Sequence, residues 1–347
     1  MAFSKALRGL PLRRSAKPIR IVARTSKLSR VQATIVGRGL ARADPNLIVQ
    51  HRWLESEGDQ HTGIALAERG GKGLFTRGVE QVLLDGDSDV AVHSMKDVPS
   101  DTATPGLSLA AVPKRGPVGD VLVGPSGQPI TIDELPQGAV LGTASARRAA
   151  QIRAVRPDVR AVLMRGNVPT RLEKVQAEDG VYDATLLAAA GLLRLGFRDL
   201  AGQPLGLDTM LPAAGQGALC LQCRGQDHVT VARCMPLNDP ASATAIHAER
   251  ELVAGLGADC HSPIAVYAHP LDPETTQAER NADSHWFRLR ARVWSADGSR
   301  TATFDDQIKT LHLRRLVKRA IVSLKEQGAQ QMLTDAQRQP AIEPLPT

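Results

Sequence analysis

Ala139-Val140-Leu141-Gly142-Thr143-Ala144-Ser145-Ala146-Arg147-Arg148 decides the fold class: an apolar run breaks into small and hydroxylated residues, and two arginines follow. The same order returns at Ile19-Arg20-Ile21-Val22-Ala23 before Arg24-Thr25-Ser26, and at Val90-Ala91-Val92 before His93-Ser94-Met95-Lys96-Asp97. It returns again at Ala161-Val162-Leu163-Met164 before Arg165-Gly166-Asn167, and at Ala184-Thr185-Leu186-Leu187 before Ala188-Ala189-Ala190-Gly191, with Arg194 beyond. Buried parallel strands read as short apolar runs, and α/β sheets place ligands beyond the carboxyl ends of their strands. Helix starts there offer N–H groups and partial positive charge, so an added arginine makes an anion site. The pattern predicts an α/β fold and a polyanionic ligand.

A chain of 347 residues predicts two or three domains, and a net charge of +7 admits nucleic acid, an anionic membrane or a small acidic ligand. Aromatic residues make up only 3%, which leaves few platforms for stacking bases. The basic residues sit singly at strand ends, so a small carboxylate or phosphate ligand fits best. No apolar run approaches the roughly 20 residues of a membrane span. Lys5, Arg8, Arg13, Arg14 and Lys17 precede the first acidic residue, Asp44. A transit peptide and the basic tail of a cytoplasmic protein both fit this segment; its shortness and proline favour the tail.

Four cysteines, Cys220, Cys223, Cys234 and Cys260, are too few for a disulfide framework in a chain this long. Cys220 and Cys223 have zinc-like spacing, but Ala218 to Cys223 reads as a strand, where residues three apart face opposite sides. No metal is expected.

Strand–helix alternation runs from Ile19 to about Pro113, with Thr25 or Ser26 capping a helix to about Gly39 and a second helix running from Phe75 to Leu84. Between them, Leu54 to Gly73 is polar and glycine-rich and reads as an active-site loop or an idle surface loop. Pro113-Lys114-Arg115-Gly116-Pro117-Val118-Gly119 has hinge composition, alternation resumes from Asp120 to about Pro212, and Ala213 to Gly217 suggests a return crossing. A helix over Ala243–Leu256, strands over Pro263–Tyr267 and Trp286–Trp294, and a helix over Thr310–Leu324 predict a small α+β domain. From Gln327 the Gln, Ala and Pro content predicts a frayed end.

His93-Ser94-Met95-Lys96-Asp97-Val98-Pro99 follows a buried strand and stops at proline. A carboxylate at Asp97, beside Lys96, is able to stabilise a cationic intermediate or shuttle a proton; Asp97 as a simple turn cap is the bland reading. That segment, Gly70-Gly71-Lys72-Gly73-Leu74-Phe75, Arg165-Gly166-Asn167 with Thr170-Arg171-Leu172, Tyr182-Asp183-Ala184, Ala190-Gly191-Leu192 with Arg194-Leu195-Gly196, and Leu211-Pro212-Ala213 with Gly215-Gln216-Gly217-Ala218 occur in family order. Together they resemble the porphobilinogen deaminase, or hydroxymethylbilane synthase, family from about Ile19 to about Tyr267.

The resemblance implies two periplasmic-binding-protein-like α/β lobes with a hinged cleft and a small α+β C-terminal domain. Its expected partition is a basic extension over 1–17, lobe 1 over 18–114 and 217–236, lobe 2 over 119–212, a C-terminal domain over 239–328 and a tail over 329–347. It implies four porphobilinogen molecules joined head to tail with loss of ammonia, on a dipyrromethane cofactor bound by thioether to Cys260. Asp97 is the implied catalytic residue. Lys96, Thr143, Ser145, Arg147, Arg148, Arg171 and Gln216 are implied at the cofactor, and Arg24, Ser26, Gln32, Arg165 and Arg194 at the substrate. Lys72 and Phe75 fall in the covering loop. A surface pair with Glu173 is the alternative for Arg171. A cytoplasmic monomer in heme biosynthesis is expected, without nucleic acid or membrane partners.

Several positions depart from the family pattern. Ala258-Asp259 stands where Gly-Gly is usual before the cysteine, and Ser262 replaces an aliphatic residue or Thr. Gly119 replaces an Arg, Glu68 a loop Lys, Ala144 a Ser and Pro169 a Gly. A non-catalytic two-lobed anion-binding protein of periplasmic type is the competing reading; it needs neither Asp97 nor Cys260. Nucleic-acid binding, the third reading, requires strong salt dependence.

Overall fold

The computed structural model describes residues 17–55, 76–100, 104–271, 286–338 and 342–345. The loop positions Glu68, Lys72 and Phe75, and the basic extension before Lys17, lie outside the described residues. Along the chain run β1 (Ile19–Arg24), α1 (Lys27–Ala43), β2 (Val49–Leu54), α2 (Arg77–Leu84), β3 (Val90–Ser94), β4 (Leu107–Ala111), β5 (Asp120–Val123) and β6 (Val140–Thr143). Then come α3 (Ala146–Val155), β7 (Arg160–Leu163), α4 (Val168–Gln176), β8 (Ala184–Ala188), α5 (Ala189–Arg194), α6 (Arg198–Ala201), β9 (Leu219–Arg224) and α7 (His228–Cys234). The last part holds α8 (Pro240–Gly255), β10 (Ile264–Pro270), β11 (Trp286–Trp294), β12 (Thr301–Lys309), α9 (Leu313–Glu326) and α10 (Ala329–Arg338).

The chain divides into two compact units. The first comprises residues 1–94, 103–114 and 219–240, the second residues 95–102, 115–218 and 241–347. In the first, the sheet order is β2-β1-β3-β9-β4, with β1 parallel to β2 and β3, and β9 antiparallel to β3 and β4. Ile19, Ile21 and Ala23 pack with Ala33, Val36 and Leu40 of α1, whereas Val22 packs on the other face with Val79 and Leu83 of α2. Both faces of β1 are therefore covered, which is why it reads as an unbroken apolar run. Across the same sheet the Gln222 amide joins His93 Nε2 at 3.0 Å and donates to Glu80 Oε1 at 2.9 Å, tying β3, β9 and α2 through buried polar groups.

In the second unit, one sheet has the order β5-β8-β6-β7, with β6 parallel to β7 and β8, and β5 antiparallel to β8. Val121 and Val123 face one core, Leu122 the other, the period-two alternation of a strand covered on both sides. A second sheet, β10-β11-β12, is an antiparallel meander. Leu252 of α8, Leu316, Val317 and Leu324 of α9, and Val266, Leu289 and Ala291 of the strands share its core.

The end of the chain differs from the frayed tail that composition predicts. Ala329, Met332 and Leu333 of α10 are buried in that same core, because their i, i+3, i+4 spacing puts three apolar groups on one helix face. Beyond it, Glu343 N donates to Ala161 O at 2.9 Å and Leu163 N to Glu343 O at 2.8 Å. Strand β12 also lies outside the elements that the sequence predicts: its outward Thr, Asp, Gln and Lys residues dilute an inward row of Ala302, Phe304 and Ile308.

Two segments of the second unit, 115–119 and 213–218, lie side by side. Gly116 N donates to Gly217 O, and Gln216 Nε2 to Val118 O at 2.6 Å. Gly217 has φ +84°, and a Cβ there would stand 2.6 Å from the carbonyl oxygens of Gly116 and Pro117, so only glycine permits this approach. The Glu249 carboxylate, fully buried on α8, accepts from Arg115 at 2.6 and 3.1 Å, from Gly215 N at 2.7 Å and from Ala268 N at 2.8 Å. The Arg115 guanidinium also lies 5.1 Å over the Tyr267 ring.

Glu249→Ala leaves the half-buried Arg115 and the N–H groups of Gly215 and Ala268 without their acceptor and is expected to cost about 3–5 kcal/mol in urea unfolding. A loss below about 1 kcal/mol contradicts this role. Leu333→Ala is expected to cost about 2–5 kcal/mol in the same experiment, and no change means that α10 adds nothing to the core.

Candidate functional site

The candidate acid stands on a one-turn 3-10 segment, Met95–Asp97, in the second unit. Met95 is buried and its N–H donates to Ala218 O, while Val98 N closes the turn on Met95 O. Gly215, at φ +74°, lets the turn approach: a Cβ there would meet the Met95 side chain at 2.7 Å and Lys96 N at 3.1 Å. Lys96 is thereby half-buried and Asp97 exposed.

Strand β6 ends in Thr143, whose hydroxyl is buried and accepts from Ser145 N at 3.1 Å. Ser145 caps α3 by accepting from Arg148 N. The first turn of α3 carries Arg147 and Arg148, both buried, and both reach the fully buried Asp120 of β5, at 2.8 and 2.6 Å. Arg147 also donates to Leu211 O at 2.7 Å. Burial opposes ionisation of Asp120, but the two guanidinium charges overcome it and hold the carboxyl well below its usual range.

Burial and the Arg148 charge pull the Lys96 ammonium down to about 8, against the opposing pull of Asp97 and Asp120. Arg171 on α4 donates to Gly166 O at 2.8 Å, and burial with Arg148 repulsion lowers it to about 10. Its hydrogen bond goes to that carbonyl rather than to Glu173. Arg194 closes α5, donates to Gly217 O at 2.6 Å, and is lowered to about 10 by burial. Arg165 is half-buried before α4. Lys96 thus feels the charges of Arg147, Arg148, Asp97 and Asp120, and Arg171 feels that of Arg148.

Of the six buried side-chain atoms without a hydrogen-bond partner among the described residues, three belong to residues singled out here: Arg147 Nε, Arg148 Nε and Gln216 Oε1. A buried donor left unmatched costs about 1–3 kcal/mol. Two unmatched guanidinium donors beside an ammonium suit carboxylates, and an unmatched amide oxygen suits an N–H. A group combining carboxylates with ring N–H groups therefore fits the donor set.

Cys260 is exposed at the second position of a turn over Asp259-Cys260-His261-Ser262, closed by Ser262 N to Asp259 O at 3.2 Å. The Asp259 carboxylate accepts from His261 N at 3.0 Å and from the Ser262 hydroxyl at 2.9 Å, and that hydroxyl accepts from Asp259 N at 3.0 Å. The two departures from the family pattern thus satisfy each other. Ala258 joins the apolar core, and Pro169 sits in the first turn of α4, where its missing N–H costs nothing. At Gly119 an added Cβ would stand 2.5 Å from Pro204, so no larger residue fits without a shift.

The first unit carries the other expected residues. Arg24 ends β1 half-buried; Ser26 caps α1 through Ser29 N at 3.3 Å; Gln32 is buried and donates to Ser94 Oγ at 2.9 Å. Ser26 and Gln32 therefore have structural partners already. Cys220, Cys223 and Cys234 are buried, and burial pushes the Cys223 and Cys234 thiols up. Among the described residues no helix is long and apolar enough to cross a membrane.

Sequence reasoning missed Asp120, Arg115, Glu249 and Arg250. The signal for Asp120 was an acid opening the apolar run Asp120-Val121-Leu122-Val123. For Glu249 it was a carboxylate in the buried stripe Ala245, Ala248 and Leu252.

Lys96 is protonated below about pH 8 and neutral above it. In cofactor-free protein, obtained as Cys260→Ser, a pH titration of 13C-labelled lysine side chains is expected to find one lysine with its midpoint near 8, lost when Lys96→Met is added. Titration of every lysine near 10 contradicts the described environment.

The family model for porphobilinogen deaminase, dipyromethane cofactor binding domain, matches residues 19–232, and that for its C-terminal domain matches residues 243–322. Porphobilinogen deaminase of Legionella pneumophila (strain Lens) is 40% identical over 320 residues, covering 92% of this chain and 98% of that protein. Porphobilinogen deaminase of Syntrophotalea carbinolica is 44% identical over 254 residues, covering 73% and 79%. A TRAP periplasmic solute-binding protein from Roseobacter denitrificans, with bound β-D-glucuronate, is 9% identical with a TM-score of 0.34 over 64% of this chain and 78% of that one, a likeness too slight to carry weight. By its two matched domains and these relatives, the chain belongs to the porphobilinogen deaminase family, transferases of tetrapyrrole biosynthesis with a dipyrromethane cofactor-binding domain.

Proposed function

We propose that this chain joins four porphobilinogen molecules head to tail, releasing ammonia each time, to give linear hydroxymethylbilane. Cys260 is proposed to hold the dipyrromethane by a thioether. When bound, that group supplies the nucleophilic carbon to which the first substrate is joined. The observation that carries the reading is the buried Arg147–Arg148 pair with unmatched Nε donors, whose charges act on Lys96, the chain neighbour of Asp97.

Each pyrrole brings an acetate and a propionate, so negative charge grows with every addition. Lys96, Arg147, Arg148 and Arg171 hold cofactor carboxylates in this reading, with the hydroxyls of Thr143 and Ser145 beside them. Gln216 Oε1 takes a pyrrole N–H. Arg165 and Arg194 bind substrate carboxylates, as do Arg24, Ser26 and Gln32 of the first unit. Each charge-assisted hydrogen bond contributes about 1.5–3 kcal/mol. Lys72 and Phe75 are proposed to belong to a covering loop. The lobes (18–114 with 217–236, and 119–212), a C-terminal domain over 239–328, and a cytoplasmic monomer complete the proposal.

Of the two carboxylates near Lys96, Asp120 is buried and occupied by two guanidinium groups. Asp97 is exposed, so it is the carboxylate able to reach a substrate. Loss of ammonia leaves the substrate methylene electrophilic and the pyrrole cationic. Asp97 stabilises that charge through the ring N–H and accepts a proton as aromaticity returns.

Asp97→Asn is expected to fold and retain the cofactor while turnover falls by at least about 100-fold. Near-wild-type turnover in the loaded variant removes Asp97 from the mechanism.

A further inference from the structure

Helix α8 presents Glu249 and Arg250 in succession, and both act on the turn that carries Asp97. Glu249 works at one remove: its carboxylate holds Gly215 N at 2.7 Å, and Gly215 is the residue against which Met95 and Lys96 N are seated. Arg250 works directly. Its Nη1 donates to Val98 O at 2.8 Å and its Nη2 to Pro99 O at 2.6 Å. These two carbonyls lie just past the 3-10 turn, where no strand or helix supplies donors, and Pro99 prevents the turn from continuing. A planar guanidinium fork fixes two adjacent carbonyls in a way that a single ammonium does not. The backbone on both sides of Asp97 is therefore gripped from one turn of α8.

We propose that Arg250 is a positioning residue for the reaction: by clamping the Val98 and Pro99 carbonyls it aims the Asp97 carboxylate, without touching substrate itself. This rests on the catalytic reading of Asp97. Misplacement of a reacting group by about 1 Å can cost on the order of 100-fold in rate, so loosening this backbone is a kinetic event even where the fold survives.

The test uses full-length holoenzyme with Arg250→Met, which keeps an apolar stem and loses both donors, Arg250→Lys, which keeps the charge, and Asp97→Asn. Intact mass is expected to show full cofactor loading in all three. In Arg250→Met, kcat falls by about tenfold or more with KM within about twofold of wild type, and Arg250→Lys recovers part of the loss. Hydrogen exchange in the peptide spanning 94–100 speeds up in Arg250→Met and not in Asp97→Asn.

Wild-type kcat in loaded Arg250→Met overturns the proposal, as does a loss of kcat traceable to missing cofactor. If Arg250→Met does not fold, Arg250→Lys decides alone: reduced kcat at unchanged KM supports positioning, and wild-type kcat overturns it. Full turnover in Asp97→Asn would instead sink the reading of Asp97, whereas faster exchange in Arg250→Met would still report the clamp.

Discussion

The arrangement of the second unit depends on one buried carboxylate. Glu249 has no contact with solvent, and a charge so placed is tolerated only when its oxygens are fully engaged. Its partners come from three separate stretches: Arg115 from the segment before β5, Gly215 from the segment before β9, and Ala268 from β10. The stretches around Arg115 and Gly215 lie outside helices and strands and have no ladder of their own to hold them against β10. The carboxylate supplies the common point, and α8 leads from it to the turn that displays Cys260. The same helix thus organises the backbone under Lys96 and Asp97 and the approach to the candidate attachment residue.

A second carboxylate, Asp120, sets the electrostatics. Two arginines adjacent on a helix repel one another, and burial disfavours both charges. Asp120 offsets one of the two charges and leaves the other for a ligand, while each Nε stays unmatched. Lys96, brought down to about 8, adds a cation whose charge responds to what is bound beside it. An anionic ligand favours its protonated form, so each carboxylate that arrives strengthens the cation it meets. The site is thereby suited to a ligand whose negative charge increases as it grows.

Much of this is legible in the sequence. Strands buried on both faces, such as β1, β6 and β8, announce themselves as apolar runs, and the polar residues at their ends fall where α/β sheets bind ligands. What escaped notice did so for physical reasons. Strand β12 alternates Ala302, Phe304 and Ile308 with Thr, Asp and Gln, and one exposed face hides the pattern. Helix α10 buries only three apolar residues within a Gln-rich stretch, so composition resembles a loose end. Asp120, Glu249 and Arg250 act through partners far away in sequence, which no local window reveals. Asp259 and Ser262 looked like two separate irregularities; the turn makes them one mutual pair.

Cys260 is proposed to carry a covalent dipyrrole held by this cationic cluster. Intact mass after acid denaturation tests it most directly. The account predicts that the wild-type chain carries the added mass of a dipyrromethane and that Cys260→Ser has the mass of the bare polypeptide. A bare wild-type chain purified from porphobilinogen-replete cells, or an adduct that persists in Cys260→Ser, would contradict it.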